Sequence, residues 1–504
     1  MNFAIRPISK LKAIEYLLIA SSMILVIVST RSGMGISWDS TDYMAVGRNM
    51  ASGIGPIDVV GLPMTVRPPG ISSLICVGDW LGLMPSTTFV VINTASAGVS
   101  TYFAMLILRK TNIQKGFEIS TLSMIAFSPS LLNMNSMAWS ESVFIALVMA
   151  SLWIALTARS IPMHIALGVL FTFMFFIRYV GPFYSFPIAL IAIFAQSKQS
   201  GFIKSVFRIG SIYFVSLVPQ YLWLLRNKSI DGTLTGAREG AGGSYLQPIK
   251  TMTATFGSWV VGHDPLDGNG GIYLNWNDYS ASMKIAGCTF VSLLVVLVLF
   301  LVKSIKQRYE ASVVGLCLFL VSMFYIIFSV IRFVHVEIGP LDNRMMSGVY
   351  IPLILIFGIG LDAILRNAFS KNIAAVIFLC LFAVVGSQSI LSAMDYGSNG
   401  RYWGSTDHQE QPLHQFVRTL DTKSQFMSNE PQMLFSVVEQ SPVFTQFMNA
   451  RVFPRPCTNR YFVWYAVSFL PDVKPTGGEV IYSDALGEVI QLADCTVPAP
   501  TFWP

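Results

Sequence analysis

The sequence has 504 residues, of which 53% are apolar and 12% charged, with a formal net charge of +6. An ordinary soluble protein carries about 25% charged residues, so the composition excludes a soluble globular chain. The 13% of aromatic residues excludes a disordered one. We therefore expect a polytopic membrane protein. The positive charge does not indicate a nucleic-acid partner, because many basic residues fall in short turns between apolar segments.

Apolar segments long enough to cross a bilayer recur along the first four-fifths of the chain. A transmembrane helix needs about 20 apolar residues, and eleven segments approach this length: 13–30, 87–108, 117–133, 141–158, 161–177, 180–196, 209–225, 283–302, 312–331, 346–364 and 372–394. The sequence thus predicts an all-α polytopic membrane protein with about 11 transmembrane helices.

Lysine and arginine residues set the predicted orientation, because they are retained on the cytoplasmic side. They are concentrated before the first segment and in alternate turns after it, whereas the short turns between are poor in them. This pattern predicts a cytoplasmic N-terminus and, with an odd number of spans, a C-terminus outside.

Three outside segments are long: 31–86, 226–282 and 395–504. We expect residues 1–394 to form a transmembrane catalytic domain that includes the first outer loop, and residues 395–504 to form an extracytoplasmic domain. In the latter, residues 426–435 read as a strand that leads into a helix, and 478–483 as a second strand, which predicts a small α/β fold. Cys457 and Cys495 are its only cysteines, and we expect them to form a disulfide.

The first outer loop is predicted to contain two short helices that lie on the membrane surface. Their apolar stripes are Tyr43, Val46 and Met50 in the first, and Ile71, Leu74, Ile75, Gly78 and Leu81 in the second. Asp39 opens the first helix. A carboxylate there is either a helix-capping residue or a general base near the lipid boundary, and Asp42 competes for both roles.

Six arginines face the outside in this topology, against the usual charge bias. They are Arg67, Arg178, Arg226, Arg238, Arg332 and Arg344. Any one of them is more often a membrane-surface anchor than a ligand, but together they suit an anionic headgroup. Glu141 opens the fourth span on the same side, and His335 lies near Arg332, where a structural role is the commoner one.

Motifs for metal or nucleotide cofactors are missing from the sequence. It has neither a C-x-x-C or clustered His/Cys spacing for zinc nor a glycine-rich phosphate loop ending in Gly-Lys-Ser/Thr. We expect no cofactor and no requirement for a divalent metal.

The series of motifs resembles the GT-C membrane glycosyltransferases that use polyprenyl-phosphate sugars, especially bacterial members akin to protein O-mannosyltransferases and aminoarabinose transferases. The first motif comprises Trp38, Asp39, Tyr43, Gly53 and Gly55, followed by Pro68-Pro69-Gly70. The later motifs are Ser140-Glu141, Arg178-Tyr179, Trp223 with Arg226-Asn227, Asp342-x-Arg344 and Ser428-Asn429-x-Pro431. In the family an acidic pair is commoner after the first span, whereas here Ser40 follows Asp39.

The resemblance implies an inverting sugar transfer from a polyprenyl-phosphate-linked donor to a hydroxyl of an envelope glycan, lipid or protein. By resemblance Asp39 is the base, and Arg344 and Arg226, then Arg178 and Arg67, bind the donor phosphate. Glu141, Asp42, Tyr43, His335 and Arg332 are candidates for binding sugar or acceptor. It also implies a bacterial inner-membrane location and a role in modifying the cell envelope, for example lipopolysaccharide.

Other functions are compatible with the same topology. A flippase or secondary transporter for lipid-linked sugars should carry ionisable residues near span centres, whereas the candidate site charges here cluster at outer ends. A polysaccharide polymerase or ligase normally centres on a large late outer loop. A non-catalytic receptor or assembly subunit would have no need of the base. The residues do not identify the sugar or the acceptor.

Overall fold

The computed structural model describes residues 10–236, 244–262, 276–307, 309–335, 341–365, 371–421, 424–438, 460–466, 474 and 478–492. Within these residues the chain forms eighteen α-helices and four strands. The helices are α1 (Lys10–Ser29), α2 (Trp38–Ala51), α3 (Gly70–Trp80), α4 (Pro85–Thr111), α5 (Lys115–Ala126), α6 (Pro129–Asn135), α7 (Glu141–Thr157), α8 (Ile161–Ile177), α9 (Gly181–Ser200), α10 (Phe202–Asp231), α11 (Leu246–Val261), α12 (Ala281–Lys303), α13 (Tyr309–His335), α14 (Asn343–Leu365), α15 (Lys371–Asn399), α16 (Thr406–Gln409), α17 (Pro412–Thr419) and α18 (Pro431–Val438). The strands are β1 (Gln425–Ser428), β2 (Arg460–Tyr465), β3 (Glu479–Ser483) and β4 (Gly487–Gln491).

The chain divides into two compact units. The first unit consists of residues 1–29, 92–136 and 140–394, and the second of residues 30–91, 137–139 and 395–504. The first outer loop thus groups with the C-terminal region. The sequence-based division at residue 394 stays a prediction.

Six helices of the described chain are long and apolar enough to cross a membrane: α1, α4, α10, α12, α13 and α14. The helices α7 and α8 are apolar but have only 17 residues each. Ten of the eleven predicted segments contain one helix each. The prediction of a mostly helical, multi-pass membrane protein is confirmed, whereas the number of eleven spans stays a prediction.

The remaining segment, 117–133, is divided between α5 and α6. The break follows Phe127, where the Ser128 hydroxyl accepts a hydrogen bond of 3.1 Å from the Leu131 backbone N–H. Pro129 stands at the first position of the new helix. A serine cap followed by proline starts a helix, so the sequence restarts the helix where a continuous span was expected.

The C-terminal region contains the predicted small α/β fold. The sheet has the strand order β1-β2-β4-β3, in which β1 and β2 are parallel and the other pairs antiparallel. Met427, Phe462, Ile490 and Leu492 form its apolar core. Strand β1 leads into α18, as the sequence predicts. The predicted disulfide lies outside the described residues, because neither Cys457 nor Cys495 is among them.

The two helices of the first outer loop are present and pack against each other. A side chain at Gly47 of α2 would lie 2.6 Å from Ile75 Cγ2 of α3, so this close approach requires glycine. Tyr43 and Val46 are 4% and 0% exposed. The apolar stripe predicted to lay α2 on the membrane is therefore buried in protein, because α3 and α18 pack against this helix.

Helix α3 has a second apolar face besides the one that packs on α2. Ile71 and Ile75 are fully buried, whereas Val77, Trp80 and Leu81 are 48%, 69% and 74% exposed. The predicted stripe of α3 is thus divided, since Leu74 and Leu81 lie on the exposed side. Four residues separate this helix from the apolar helix α4.

Candidate active site

The first group of candidate residues lies in the second unit, and we call Asp39, Asp42 and Arg67 the acidic cluster. Asp39 and Asp42 stand three residues apart in the first turns of α2, so their side chains share one helix face. The Arg67 guanidinium donates from Nε to Asp39 Oδ1 at 3.1 Å and from Nη2 to the same oxygen. Its Nη1 donates to Asp42 Oδ2. One guanidinium therefore serves two carboxylates.

Hydrogen bonds from within α2 and from two other parts of the chain fix the start of α2. The Ser37 N–H donates to Ser40 Oγ at 3.0 Å, and Trp139 Nε1 donates to Ser37 Oγ at 2.7 Å. The Trp403 N–H donates to the Ile36 carbonyl oxygen at 3.1 Å. These contacts fix the helix turn that carries Asp39.

Burial determines the electrostatics of the acidic cluster. Burial raises the pKa of Asp42 to about 7; Arg67 opposes this increase, whereas Asp58 and Asp39 add to it. Burial also raises the pKa of Asp58. Desolvation would lower the pKa of Arg67, but Asp39 and Asp42 outweigh it and hold this pKa above its ordinary value. With both carboxylates of the pair ionised, the cluster carries one net negative charge.

The second group lies in the first unit, and we call Glu141, Arg178 and Arg344 the basic cluster. Glu141 is the first residue of α7 and is 2% exposed. Its Oε1 accepts from Arg344 Nε at 2.7 Å and forms an ion pair with Arg178 Nη1. Arg178 Nη1 also donates to Ser140 Oγ at 3.0 Å. One carboxylate thus serves two guanidinium groups, and the cluster carries one net positive charge.

The ends of three helices bring the basic cluster together. Glu141 begins α7, Arg178 directly follows the last residue of α8, and Arg344 stands in the first turn of α14. Asp342 accepts from the Met345 N–H at 2.9 Å and so caps α14. Asn343 accepts from Trp259 Nε1 of α11 at 2.9 Å. These bonds fix the turn from which Arg344 projects.

Arg226 belongs to a group of aromatic side chains that includes Tyr179, the residue after Arg178 in the sequence. Its guanidinium carbon lies 4.4 Å from the Trp223 ring centroid, and its Nη1 donates to Asn227 Oδ1 at 3.0 Å. The Tyr179 hydroxyl accepts from Trp223 Nε1 at 3.0 Å and from Asn227 Nδ2 at 2.9 Å. The guanidinium is therefore held on an aromatic face and by an amide.

The remaining candidates have other surroundings. Tyr245 Oη lies 3.0 Å from His335 Nε2, and the Arg332 guanidinium carbon lies 6.0 Å from the Phe328 ring centroid. The Tyr43 ring centroid lies 5.9 Å from the Arg67 guanidinium carbon. Arg238 lies outside the described residues. Among the described residues, no group of three or more His, Cys, Asp or Glu side chains is arranged to hold a metal ion.

Sequence reasoning missed Asp58. Its Oδ1 accepts from the backbone N–H groups of Leu62 at 2.8 Å and Val60 at 3.1 Å, which makes it a turn residue by local contacts. The signal was an aspartate ahead of Val-Val-Gly, which is typical of such a turn. Its effect on the pKa of Asp42 depends on the folded loop.

Comparison with known proteins gives structural relatives only. No protein-family model matches the sequence, and no curated protein matches it either. The chain is similar to ArnT from Cupriavidus metallidurans in the apo state, with 12% identity over 94% of this chain and 97% of that one and a TM-score of 0.60. ArnT bound to undecaprenyl phosphate gives 13% identity over 96% of this chain and 99% of that one, with a TM-score of 0.59.

Arabinofuranosyltransferase AftD from Mycobacteria is a more distant structural match. It gives 14% identity over 95% of this chain and 40% of that one, with a TM-score of 0.46. The fold that the sequence motifs predict is confirmed by the two ArnT structures. The chain has the GT-C fold of membrane-embedded glycosyltransferases.

Proposed function

We propose that the protein transfers a sugar, with inversion, from a polyprenyl-phosphate-linked donor to a hydroxyl of an envelope glycan, lipid or protein. The observation that carries this proposal is the likeness to ArnT bound to undecaprenyl phosphate, which extends over 96% of the chain. The acidic and basic clusters supply the two kinds of group that such a transfer needs.

In this proposal the basic cluster binds the donor phosphate. Its net positive charge suits an anion, and guanidinium groups match the geometry of phosphate oxygens. Arg178 and Arg344 have side chains that are 18% and 24% exposed, so they are reachable as well as held. Arg226, stacked on Trp223, is the third candidate.

Asp39 is the proposed general base. Its side chain is 25% exposed, against 14% for Asp42, so a substrate hydroxyl reaches it more readily. Asp42 is the competing candidate, because a pKa of about 7 suits a base that works near neutral pH. We assign proton transfer to Asp39 because of its greater exposure and the family resemblance.

The chemical step then needs only one carboxylate. The acceptor oxygen attacks the anomeric carbon on the face opposite the phosphate, while its proton passes to Asp39. The bond between the anomeric carbon and the phosphate oxygen breaks, and the polyprenyl phosphate leaves with the electron pair. Because phosphate is a good leaving group, it needs no proton, and the arginines stabilise its developing charge.

The other predicted residues are proposed to bind the sugar or the acceptor, and their exposure distinguishes them. Glu141 and Tyr43 are 2% and 4% exposed, which does not favour direct contact with a sugar. Asp42, His335 and Arg332 are more accessible.

We further propose a bacterial inner-membrane location, with a cytoplasmic N-terminus and with transfer on the extracytoplasmic side.

Mass spectrometry of envelope glycans, lipids and proteins tests this function in cells that lack the gene. The expected result is the loss of one sugar from one envelope component, restored by the wild-type gene but not by Asp39→Asn. Asp79→Asn is the matched control, because this carboxylate lies in α3 and pairs with Arg48, 3.6 Å away. Envelope components of unchanged mass would contradict the proposal. Restoration by Asp39→Asn would instead favour a flippase, which needs no such base.

A further inference from the structure

Arg67 has contacts that differ from those expected of a phosphate ligand. Three of its N–H groups, on Nε, Nη1 and Nη2, are directed at carboxylate oxygens of Asp39 and Asp42. A guanidinium has five N–H donors in one plane, so most of its hydrogen-bonding capacity is used within the cluster.

The charge around Arg67 also opposes the binding of a phosphate. Two carboxylates contact the guanidinium, and Asp58 acts on the same group of charges. A phosphate at this place would either displace a carboxylate or add its charge to a group that is already net negative. Arg178 and Arg344, by contrast, both contact Glu141, so that two guanidinium groups meet at one carboxylate.

We propose that Arg67 is a positioning residue, which orients the Asp39 carboxylate and keeps it ionised while Asp42 shares the same guanidinium. This inference rests on the proposed function, in which Asp39 is the base. It replaces the sequence-based expectation that Arg67 binds the donor phosphate. Arg67 is suited to this role because a planar guanidinium binds two carboxylates at once, whereas a lysine ammonium is a single point charge.

The groups that face the cluster define the electrostatic balance. They include Tyr43, whose ring lies beside the guanidinium, and Asp58. Of the two helices packed against α2, α3 contributes Cys76 and Asp79, the latter paired with Arg48. The other helix, α18, has no titratable side chain. Arg67 thus places a cation in contact with both carboxylates.

Removal of the Arg67 guanidinium should raise the pKa of Asp39. An opposite charge at contact lowers the pKa of a carboxyl group by about 1–3 units, so its removal raises that pKa. Since Asp39 must be ionised to accept a proton, the acid limb of the pH–rate profile should move to higher pH. A lost phosphate ligand would instead weaken donor binding and leave the limb in place.

The experiment compares wild type, Arg67→Gln and Arg67→Lys as purified proteins in nanodiscs. Membranes from a gene-deletion strain supply both the unreacted donor and the unmodified acceptor, and mass spectrometry gives the initial transfer rate from pH 3 to 9. We expect the acid limb of Arg67→Gln to lie at least one pH unit higher than that of wild type. Arg67→Lys should keep the limb near its wild-type position but transfer at least tenfold more slowly.

Binding of undecaprenyl phosphate and of undecaprenol separates the remaining outcomes. We expect Arg67→Gln to bind undecaprenyl phosphate within about threefold of wild type. A tenfold loss of phosphate binding with an unmoved acid limb would overturn the inference in favour of a phosphate ligand. An unmoved acid limb with unchanged phosphate binding would overturn the inference in favour of a purely structural role. If Arg67→Gln does not fold, an Arg67→Lys variant that transfers at the wild-type rate would overturn it as well.

The failure of the proposed function is a separate result. It would appear as a wild-type protein that neither transfers sugar nor prefers undecaprenyl phosphate over undecaprenol, and the role of Arg67 would fall with it. A wild-type protein that transfers, beside an Arg67→Gln variant with an unmoved limb, refutes the role of Arg67 alone.

Discussion

The acidic and basic clusters contain the same two chemical groups in opposite proportion. In the acidic cluster one guanidinium contacts two carboxylates, and in the basic cluster one carboxylate contacts two guanidinium groups. With all of its members ionised, each cluster therefore keeps one unit of net charge after internal pairing. The excess carboxylate suits a base that accepts a proton, and the excess guanidinium suits an anion that must be bound.

The comparison shows that an ion pair does not by itself identify the function of its members. Arg67 lies three residues before α3 and Arg344 in the first turn of α14, and both contact carboxylates. They differ in their surroundings, because Arg67 contacts two carboxylates, whereas Arg344 contacts a carboxylate that a second arginine also contacts. The predictions below test this difference, from the largest expected effect to the smallest.

Asp39→Asn should have the largest effect, since it removes the proposed base. General base catalysis contributes about 10²–10⁴-fold to a rate, so transfer should fall by that factor. The initial rate with gene-deletion membranes measures it, and Asp79→Asn should transfer at the wild-type rate. Equal rates in Asp39→Asn and wild type would remove the acidic cluster from the chemistry.

Glu141→Gln should destabilise the first unit, because it leaves two guanidinium groups near each other without their shared counter-ion. Removing one partner of a buried ion pair costs about 3–5 kcal/mol, and the low end applies here because both arginines are partly exposed. Thermal unfolding in nanodiscs should show a lower midpoint. Glu310→Gln, at an exposed carboxylate of α13, should leave the midpoint unchanged; an equal drop in both variants would contradict the special role of Glu141.

The sequence predicts the helices better than it predicts these clusters. Apolar runs mark the helices because burial in lipid or protein requires them, and the strand–helix unit that starts at β1 is equally local. The partners of Arg67 are not local, since Asp39 and Asp42 lie 28 and 25 residues away. The sequence around Pro68-Pro69 therefore does not show that the guanidinium of Arg67 is paired with carboxylates, and a phosphate ligand is the natural prediction.

The prediction that the apolar stripe of α2 contacts the membrane was wrong for a related reason. An amphipathic pattern shows that one face is buried but not what covers it, and protein and lipid favour the same residues. Tyr43 and Val46 are covered by protein, whereas Trp80 and Leu81 of α3 are exposed. The sequence contained both faces of α3 but gave no means to separate them.

Acidification should destabilise the second unit through a buried histidine pair. Burial, together with His414 and Arg418, lowers the pKa of His408 to about 3, and burial also lowers that of His414. The unfolded chain thus binds more protons than the folded one below the ordinary histidine pKa of about 6.5. This contribution to stability is complete above pH 6.5 and is lost as the pH falls towards 3.

Hydrogen exchange of the β2 and α18 amides measures this loss, because His414 Nε2 lies 3.1 Å from Tyr465 Oη and His408 Nε2 lies 3.4 Å from Ser436 Oγ. Exchange should accelerate between pH 6.5 and 5 after correction for the intrinsic rate, and less so in His408→Asn. A corrected rate that is constant over this range would contradict the histidine account.

The exposed face of α3 should give the smallest effect. We expect this face to contact the bilayer, because Trp80 and Leu81 are exposed and stand four or five residues before the apolar helix α4. A spin label at position 81, in a background with the native cysteines replaced, should be relaxed by oxygen more than by a water-soluble nickel reagent. A label at the exposed position 415 should show the reverse, and the same accessibility at both positions would contradict membrane contact.

The division of labour between the clusters is tested most directly by the binding of undecaprenyl phosphate and undecaprenol to three proteins in nanodiscs: wild type, Asp39→Asn and Arg344→Gln. Wild type and Asp39→Asn should prefer the phosphate equally, and Arg344→Gln should bind it about tenfold more weakly, since a hydrogen bond to a charged group contributes about 1.5–3 kcal/mol. Binding of undecaprenol should be the same in all three. Loss of the preference in Asp39→Asn, with its retention in Arg344→Gln, would contradict the assignment of the base to one cluster and the phosphate to the other.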